Sequence, residues 1–283
     1  MPMHPYKVKP IRGLARGLQV LTALQEMRAA SLQDLHRVTK IPKATLTRIL
    51  LTLYQQGMIW RRIADGAHLP SHSLHERAQF DSADRLVEIA SPVLESLCQK
   101  VRWPSVLSIP RLDHMEVLET NSPRSCFDDI PLGAIGFRAN MLRSASGRAY
   151  LSFCPDPERE AVLQRLRDKG QPGNERAHDD HYIRQLVKTT RLRGYSVRDA
   201  DFGGHYFKTR AEVNDERNSI AMPIRLGGQV IGCINLTWKR RLMTTSAIVE
   251  KHLASLKQAV NLIEQSGARR LAGIPTRVNF SPL

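Results

Sequence analysis

Ser144-Ala145-Ser146-Gly147 and His178-Asp179-Asp180-His181 are the two stretches whose residue types could do covalent or acid–base chemistry. A serine nucleophile on an elbow needs Gly-x-Ser-x-Gly between a strand and a helix, and the first stretch lacks the leading glycine. Its serines suit a helix start, where side-chain oxygens accept from backbone N–H groups. The second could hold a metal or a base, but it opens a helical pattern, where acids favour the helix dipole. Gly203-Gly204 with Lys208 lacks the Lys-Ser/Thr ending of a phosphate loop. His68, His72 and His75 are spaced like a weak metal cluster, with no carboxylate or thiol pattern beside them. The sequence therefore predicts no catalytic set, no metal, no cofactor and no enzyme.

Recognition chemistry is better represented. In Ser31–Gln56 the sequence reads SLQDLHRVTKIPKATLTRILLTLYQQ. Leu32, Leu35 and Val38 sit at helical spacing and are expected to face inward. Thr39-Lys40-Ile41-Pro42 breaks that helix, since Pro42 biases Ile41 to an extended conformation and can itself begin a helix. A second helix follows with Leu46, Ile49, Leu50 and Leu53 on one face and Lys43, Thr47 and Arg48 on the other. Two short helices joined by a tight turn, with a basic face opening the second, predict a helix-turn-helix over 31–56 whose second helix enters the major groove of double-stranded DNA. Gly57 ends that helix, and MIWRRIADGAHL reads as a hairpin, the wing.

The elements around this pair must position it. A first helix is expected from Ile11 to Met27, with Leu14, Leu18, Leu21 and Leu24 as its buried stripe and Arg12 and Arg16 pointing out. Ser31 caps the next helix, with Asp34 in the capping-box position. The side chains placed to meet DNA are Arg12, Arg16, Ser31, Lys43, Thr45, Thr47, Arg48, Arg61 and Arg62. The charge distribution agrees: residues 1–62 hold eleven Lys/Arg against two Asp/Glu, a balance of +9, and the other 221 residues hold 31 against 25, a balance of +6. Such a local excess is the footprint of a polyanion-binding module.

The chain of 283 residues suits two domains, and its 42% hydrophobic content suffices for real cores. No apolar run approaches the ~20 residues of a membrane span. MPMHPYKVKP lacks the apolar core of a signal peptide. Cys98, Cys126, Cys154 and Cys233 lie far apart without a CxxC, which reads as reduced thiols in a cytoplasmic protein. Residues 1–10 are read as a flexible arm, 11–70 as the winged helix-turn-helix domain and 71–98 as a linker with a linker helix. That helix carries Leu86, Ile89, Val93, Leu94 and Leu97 on one side. Residues 81–268 are read as a second domain, and 269–283 as a loose tail.

The second domain mixes strands and helices. VLSIPRL and MEVLET read as a hairpin about Asp113-His114. Ser144–Phe153, Pro157–Lys169 and His178–Arg193 read as helices, the last ended by Gly194. YSVRDA, SIAMPIRL and QVIGCINLTW read as strands, the last two joined by Gly227-Gly228. Thr244–Gln265 closes the domain, with Ile248, Leu253, Leu256, Val260 and Ile263 inward. Hairpins with helices packed on them predict an α+β sensor. Asn235 and Thr237 alternate with Ile234 and Leu236, so both face one side of the last strand. Ser219 precedes IAMPI, and Ser144, Ala145 and Ser146 open a helix whose N–H groups favour an anion. Small polar residues on apolar strands cost desolvation unless something pairs with them. These six residues are the candidate binding pocket; hydrogen-bonding within a core is the plainer alternative. Arg138 is a further candidate partner for a carboxylate.

The order RGLARGLQVLTAL, SLQDLHRVTKIPKATLTRILLTLYQQGMI, wing, then RSASGRAYLSFCP, RLRGY, NSIAMPI and QVIGCINLTW resembles the IclR-type transcriptional regulators over nearly the whole chain. WPSVLS, SASGRAYLSFCP and VIGCINL most resemble the subgroup that activates hydroxyphenylpropionate degradation. The resemblance implies a GAF-like effector-binding domain whose pocket is lined by the six positions above. It also implies an operator or promoter as the DNA partner, a homodimer or homotetramer, a small organic acid as effector, aromatic by the subgroup, and contact with RNA polymerase. Three positions depart from the family pattern. Lys40 stands where a turn glycine is common, Ala44 where a serine is, and His68 where an aromatic closes the wing. The alternative from another class is a small-molecule hydrolase with a nucleic-acid-binding appendage, which the missing nucleophile–base–acid set disfavours.

Overall fold

The computed structural model describes residues 11–71, 82–122 and 133–272. The expected arm (1–10), His72 and His75 of the linker, Cys126, and the tail beyond 272 lie outside the described residues. The chain divides into two compact units between Glu88 and Ile89, inside one helix.

The first unit has three helices, α1 (Arg12–Met27), α2 (Leu32–Thr39) and α3 (Lys43–Gln55), and a hairpin of β1 (Ile59–Arg61) and β2 (His68–Pro70). Ser31 and Asp34 make the expected capping box: the Ser31 hydroxyl accepts the Asp34 N–H and the Asp34 carboxylate accepts the Ser31 N–H. The hairpin pairs Ile59 with Pro70, Trp60 with Leu69 and Arg61 with His68, and Ala30 adds an isolated antiparallel bridge by exchanging two hydrogen bonds with His68. Its core joins Val20, Leu24, Leu35, Leu46, Leu50 and Ile59.

Two expected inward faces are corrected. On α1, Leu14 and Leu18 are 60% and 56% exposed, and burial falls on Val20, Leu21, Ala23 and Leu24. The eight-residue α2 and the α3 core pack only against the second half of α1, so its first two turns bury nothing. On α2, Val38 is exposed and Thr39 is buried instead. The Thr39 hydroxyl donates to Leu35 O and accepts the Ile41 N–H, so the tight turn draws it inside. Lys40 sits in the left-handed region at φ 58°, strained for a residue with a side chain.

The helix α4 (Ser82–Val101) runs across the division between the units and contains Pro92. The second unit is a six-stranded antiparallel sheet in the order β5-β4-β3-β8-β7-β6. Its strands are β3 (Ser105–Pro110), β4 (His114–Thr120), β5 (Arg138–Asn140), β6 (Ser196–Val197), β7 (Arg217–Leu226) and β8 (Gln229–Lys239). Gly227 and Gly228 join β7 to β8 with φ 58° and 81°, the positive angles a two-residue hairpin needs. Three helices, α5 (Ala145–Phe153), α6 (Asp156–Lys169) and α7 (Asp180–Arg193), form one hydrophobic cluster with Met115, Ala221 and Cys233 of the sheet. Asp179 caps α7 by accepting the Tyr182 N–H, and Gly194 ends it at φ 77°. The closing helix α8 (Thr245–Ala272) packs on β7 and continues seven residues past its expected end at Gln265. Gly267 there is a packing residue rather than a stop: a Cβ would lie 2.7 Å from the Leu226 side chain.

Candidate functional site

The DNA-reading candidate is the start of α3. Pro42 stands at the N-cap and no side chain caps the helix, so the positive end of its dipole faces solvent. Lys43, Thr47 and Arg48 are exposed, while Thr45 is half-buried. Thr47 donates its hydroxyl to Lys43 O, which holds the rotamer yet leaves the oxygen able to accept. Arg12, Arg16, Lys43 and Arg48 form no side-chain hydrogen bond or ion pair with any described residue.

The other candidates are already engaged. The Ser31 hydroxyl donates to the Asp34 carboxylate at 2.6 Å and accepts the Asp34 N–H, so its bonding capacity goes into the cap. Arg62 grips Asp65 with two hydrogen bonds of 3.1 and 2.5 Å, and Arg61 Nε donates to Gly66 O at 3.1 Å. Both arginines therefore fold the tip of the wing. Burial pushes the Asp65 carboxyl up, but the Arg62 guanidinium and the Ala67 N–H together hold it below the usual range. Leu51 and Tyr54 are 56% and 57% exposed and continue the Thr47 face along α3. The sequence reading missed them, although Ile49-Leu50-Leu51-Thr52-Leu53 holds more apolar residues than one stripe can bury.

The ligand candidate is a cavity of about 330 Å³ inside the second unit. Ser144, Ala145, Ser146, Ser219, Asn235 and Thr237 all line it. Ser144 is the N-cap of α5, its hydroxyl accepting the Gly147 N–H at 3.0 Å. Gly147 is required for that approach, since a Cβ there would lie 2.3 Å from Met141 O. Ser219 and Thr237 face each other across β7 and β8. Asn235 pairs with Val106 across β8 and β3, and its Oδ1 accepts the Val106 N–H at 3.0 Å.

Four hydroxyls at this cavity lack a protein partner. That of Ser108 is sealed from solvent with none, and those of Ser146, Ser219 and Thr237 bond to no described residue. Buried polar groups normally have partners, and these four hydroxyls depart from that rule. Val106, Val117, Ala139, Phe137 and Phe202 supply apolar walls. The charged residues in its lining are Arg198, Asp215 and Arg217; Arg198, which is 7% exposed, was missed at the sequence level. Its Nε donates to Phe202 O at 3.1 Å, one Nη donates to Asp215 at 2.8 Å, and the guanidinium lies 4.6 Å over the Phe202 ring. Burial pulls the Arg198 pKa down, and Asp215 opposes the shift. Ser108 could have been read from its place one alternation after Val106, whereas Arg198 lies past the end of a two-residue strand and left no periodic signal.

Arg138 lies elsewhere, 60% exposed on β5 and 3.5 Å from Asp113. Among the described residues no group of three potential metal ligands occurs, and no helix is long and apolar enough to cross a membrane.

Comparison with known proteins adds to this geometry. The model of the IclR helix-turn-helix domain matches residues 13–62, and that of the bacterial transcriptional regulator IclR C-terminal domain matches 80–265. The chain is 27% identical over 201 residues to the HTH-type transcriptional regulator TsaQ1/TsaQ2 of Comamonas testosteroni, covering 66% of this chain and 70% of that one. It is 24% identical over 227 residues to the transcriptional repressor IclR of Escherichia coli, covering 78% and 81%. In fold it is similar to a putative transcriptional regulator, RHA06195, from Rhodococcus sp. RHA1, with a TM-score of 0.51 at 24% identity over 92% of this chain and 99% of that one.

Proposed function

The chain belongs to the IclR family of DNA-binding transcriptional regulators, and on that premise we propose that its second unit senses a small aromatic acid and thereby activates genes for catabolism of such compounds. The observation that carries the ligand reading is the 330 Å³ cavity with its four unpartnered hydroxyls and apolar walls. A ring fits the walls formed by Val106, Phe137 and Phe202, and a carboxylate finds hydroxyl donors and the positive start of α5. Resemblance to the subgroup acting on hydroxyphenylpropionate supports the choice of acid and the positive sign of regulation.

DNA is read by Lys43, Thr47 and Arg48 on α3, with Arg12 and Arg16 meeting phosphates. Paired half-sites call for a homodimer or homotetramer, and Ile11, Leu14 and Leu18 offer α1 an exposed apolar row for self-association. An activator of this kind would also contact RNA polymerase. Ligand shifts the DNA-competent population only if it binds that state with different affinity.

A melting-curve screen of aromatic acids on the full chain tests the reading. Ligand at a hundred times its dissociation constant should stabilise by about 2.7 kcal/mol. Thr237→Val should remove the shift. It is a sharper variant than Asn235→Leu, which would also strip Val106 of its hydrogen-bond acceptor. If only short aliphatic keto acids raise the melting point, the aromatic assignment fails and the sensor assignment stands.

A further inference from the structure

We propose that a second cavity, at the outer edge of β7, binds a small organic anion with an apolar body. This cavity has a volume of about 290 Å³ and shares no lining residue with the first. Pro223, Leu253 and Val260 give it an apolar floor. Arg193, at the end of α7, Arg225, on β7, and Lys257, on α8, surround it with positive charge.

None of these three cations forms an ion pair with a described residue. Arg225 instead lies 4.7 Å over the Phe153 ring. The carboxylate in the cavity wall, Glu264, accepts the Arg225 backbone N–H at 2.7 Å, so three positive charges face one negative. Cations held together over an apolar surface repel one another and leave that surface wet. An amphipathic anion relieves both costs, its charged group bridging the side chains and its body covering the floor.

The backbone excludes a strand as the occupant. The strand β6 pairs with β7 only at Ile220 and Ala221, so the edge beyond is open. Pro223 has no N–H to offer there, and the Arg225 N–H is taken by Glu264. What this edge leaves available is side-chain charge and apolar area, which suit a compact ligand. The volume is at the low end of the ~300–1,000 Å³ of small-molecule sites and has room for a ring or a short acyl chain bearing one acidic group.

The experiment uses the full-length protein and the fluorescent probe 1-anilinonaphthalene-8-sulfonate, an aromatic ring system carrying one sulfonate. Wild type and Thr237→Val should both bind it, with affinity that falls as sodium chloride is raised. Arg225→Gln combined with Lys257→Gln should weaken this binding at least tenfold while leaving the melting temperature unchanged, which rules out loss of fold as the cause. Unchanged affinity in the double variant overturns the proposal. So does loss of binding in Thr237→Val alone, which would place the probe in the first cavity. A wild type that binds no probe, with a double variant of lower sedimentation mass, also overturns it by showing that a second copy of the chain covers this face.

Discussion

On the recognition helix of the N-terminal unit the unpaired side chains of Lys43 and Arg48 stand in water; at the cavity of the C-terminal unit the unpartnered hydroxyls belong to buried residues. Arg48 and Lys43 cost the fold nothing by being unpaired, because solvent satisfies them. Ser108 is 1% exposed with no partner, and an unsatisfied buried group costs about 1–3 kcal/mol. The reading surface can therefore be altered with little effect on stability, while the cavity is held open against a penalty that the surrounding packing must offset. Substitutions should separate the two units along this line.

The largest expected effect is in the core of the reading unit. Leu46→Ala removes a fully buried side chain beneath the recognition helix and should cost about 2–5 kcal/mol. Footprinting on the operator should fail while the melting response to an aromatic acid persists. Loss of both would join the two units into one cooperative block. Gly147→Ala is the counterpart in the other unit. Its new methyl meets Met141 O, a backbone atom that cannot swing away, and should cost about 1–3 kcal/mol. Hydrogen exchange should accelerate in β7 and β8 and stay slow in α2 and α3; unchanged exchange throughout would show that α5 has slack at its start.

Arg48→Ala should lose about 1–3 kcal/mol of discrimination between operator and mismatched DNA if its guanidinium grips a guanine edge. Lys43→Ala should weaken all sequences alike and flatten the salt dependence. Footprints with both variants at two salt concentrations decide this, and the same response from both would remove the division of labour. Ser108→Ala should leave the fold as stable or raise stability by about 1 kcal/mol, since it deletes an unsatisfied hydroxyl. Ligand affinity should fall in the same variant. A destabilised Ser108→Ala protein would mean that the hydroxyl has a partner in solution.

The contrast also explains what the sequence reveals. Strand alternation places Asn235 and Thr237 on one face, and the cap pattern places Ser144 at a helix start, so cavity residues on regular elements are legible from residue order alone. Arg198 and Phe202 belong to the irregular chain after β6, where no period links position to direction. The buried row of α1 is hidden for a related reason. Leu14, Leu18, Leu21 and Leu24 form a valid helical row, but which row is buried depends on where α2 and α3 stop, and that is a tertiary fact. The Ser31 cap is legible, whereas its consequence, a hydroxyl spent on Asp34 and withdrawn from DNA, is not.

The smallest effect expected concerns His68, on the rung of the wing hairpin next to its loop. Burial, and then the charge of Arg61, lowers its pKa below the ordinary 6.5, and its Nδ1 is enclosed without a partner. The unfolded chain therefore binds a proton here at a higher pH than the folded chain does. The contribution to stability is complete above about pH 6.5 and is lost as pH falls through the lower folded value. His68 exchanges both backbone hydrogen bonds with Ala30, so its protonation should loosen the hairpin and the Ala30 bridge together. Hydrogen exchange in Ile59–Arg61, corrected for intrinsic rate, should quicken between pH 7 and pH 5 relative to β7 and β8 in the same sample. His68→Phe puts a non-titrating ring in the same place and should abolish that change. An equal pH response in the variant would assign the effect to another group, and the wing would then owe none of its stability to a neutral histidine.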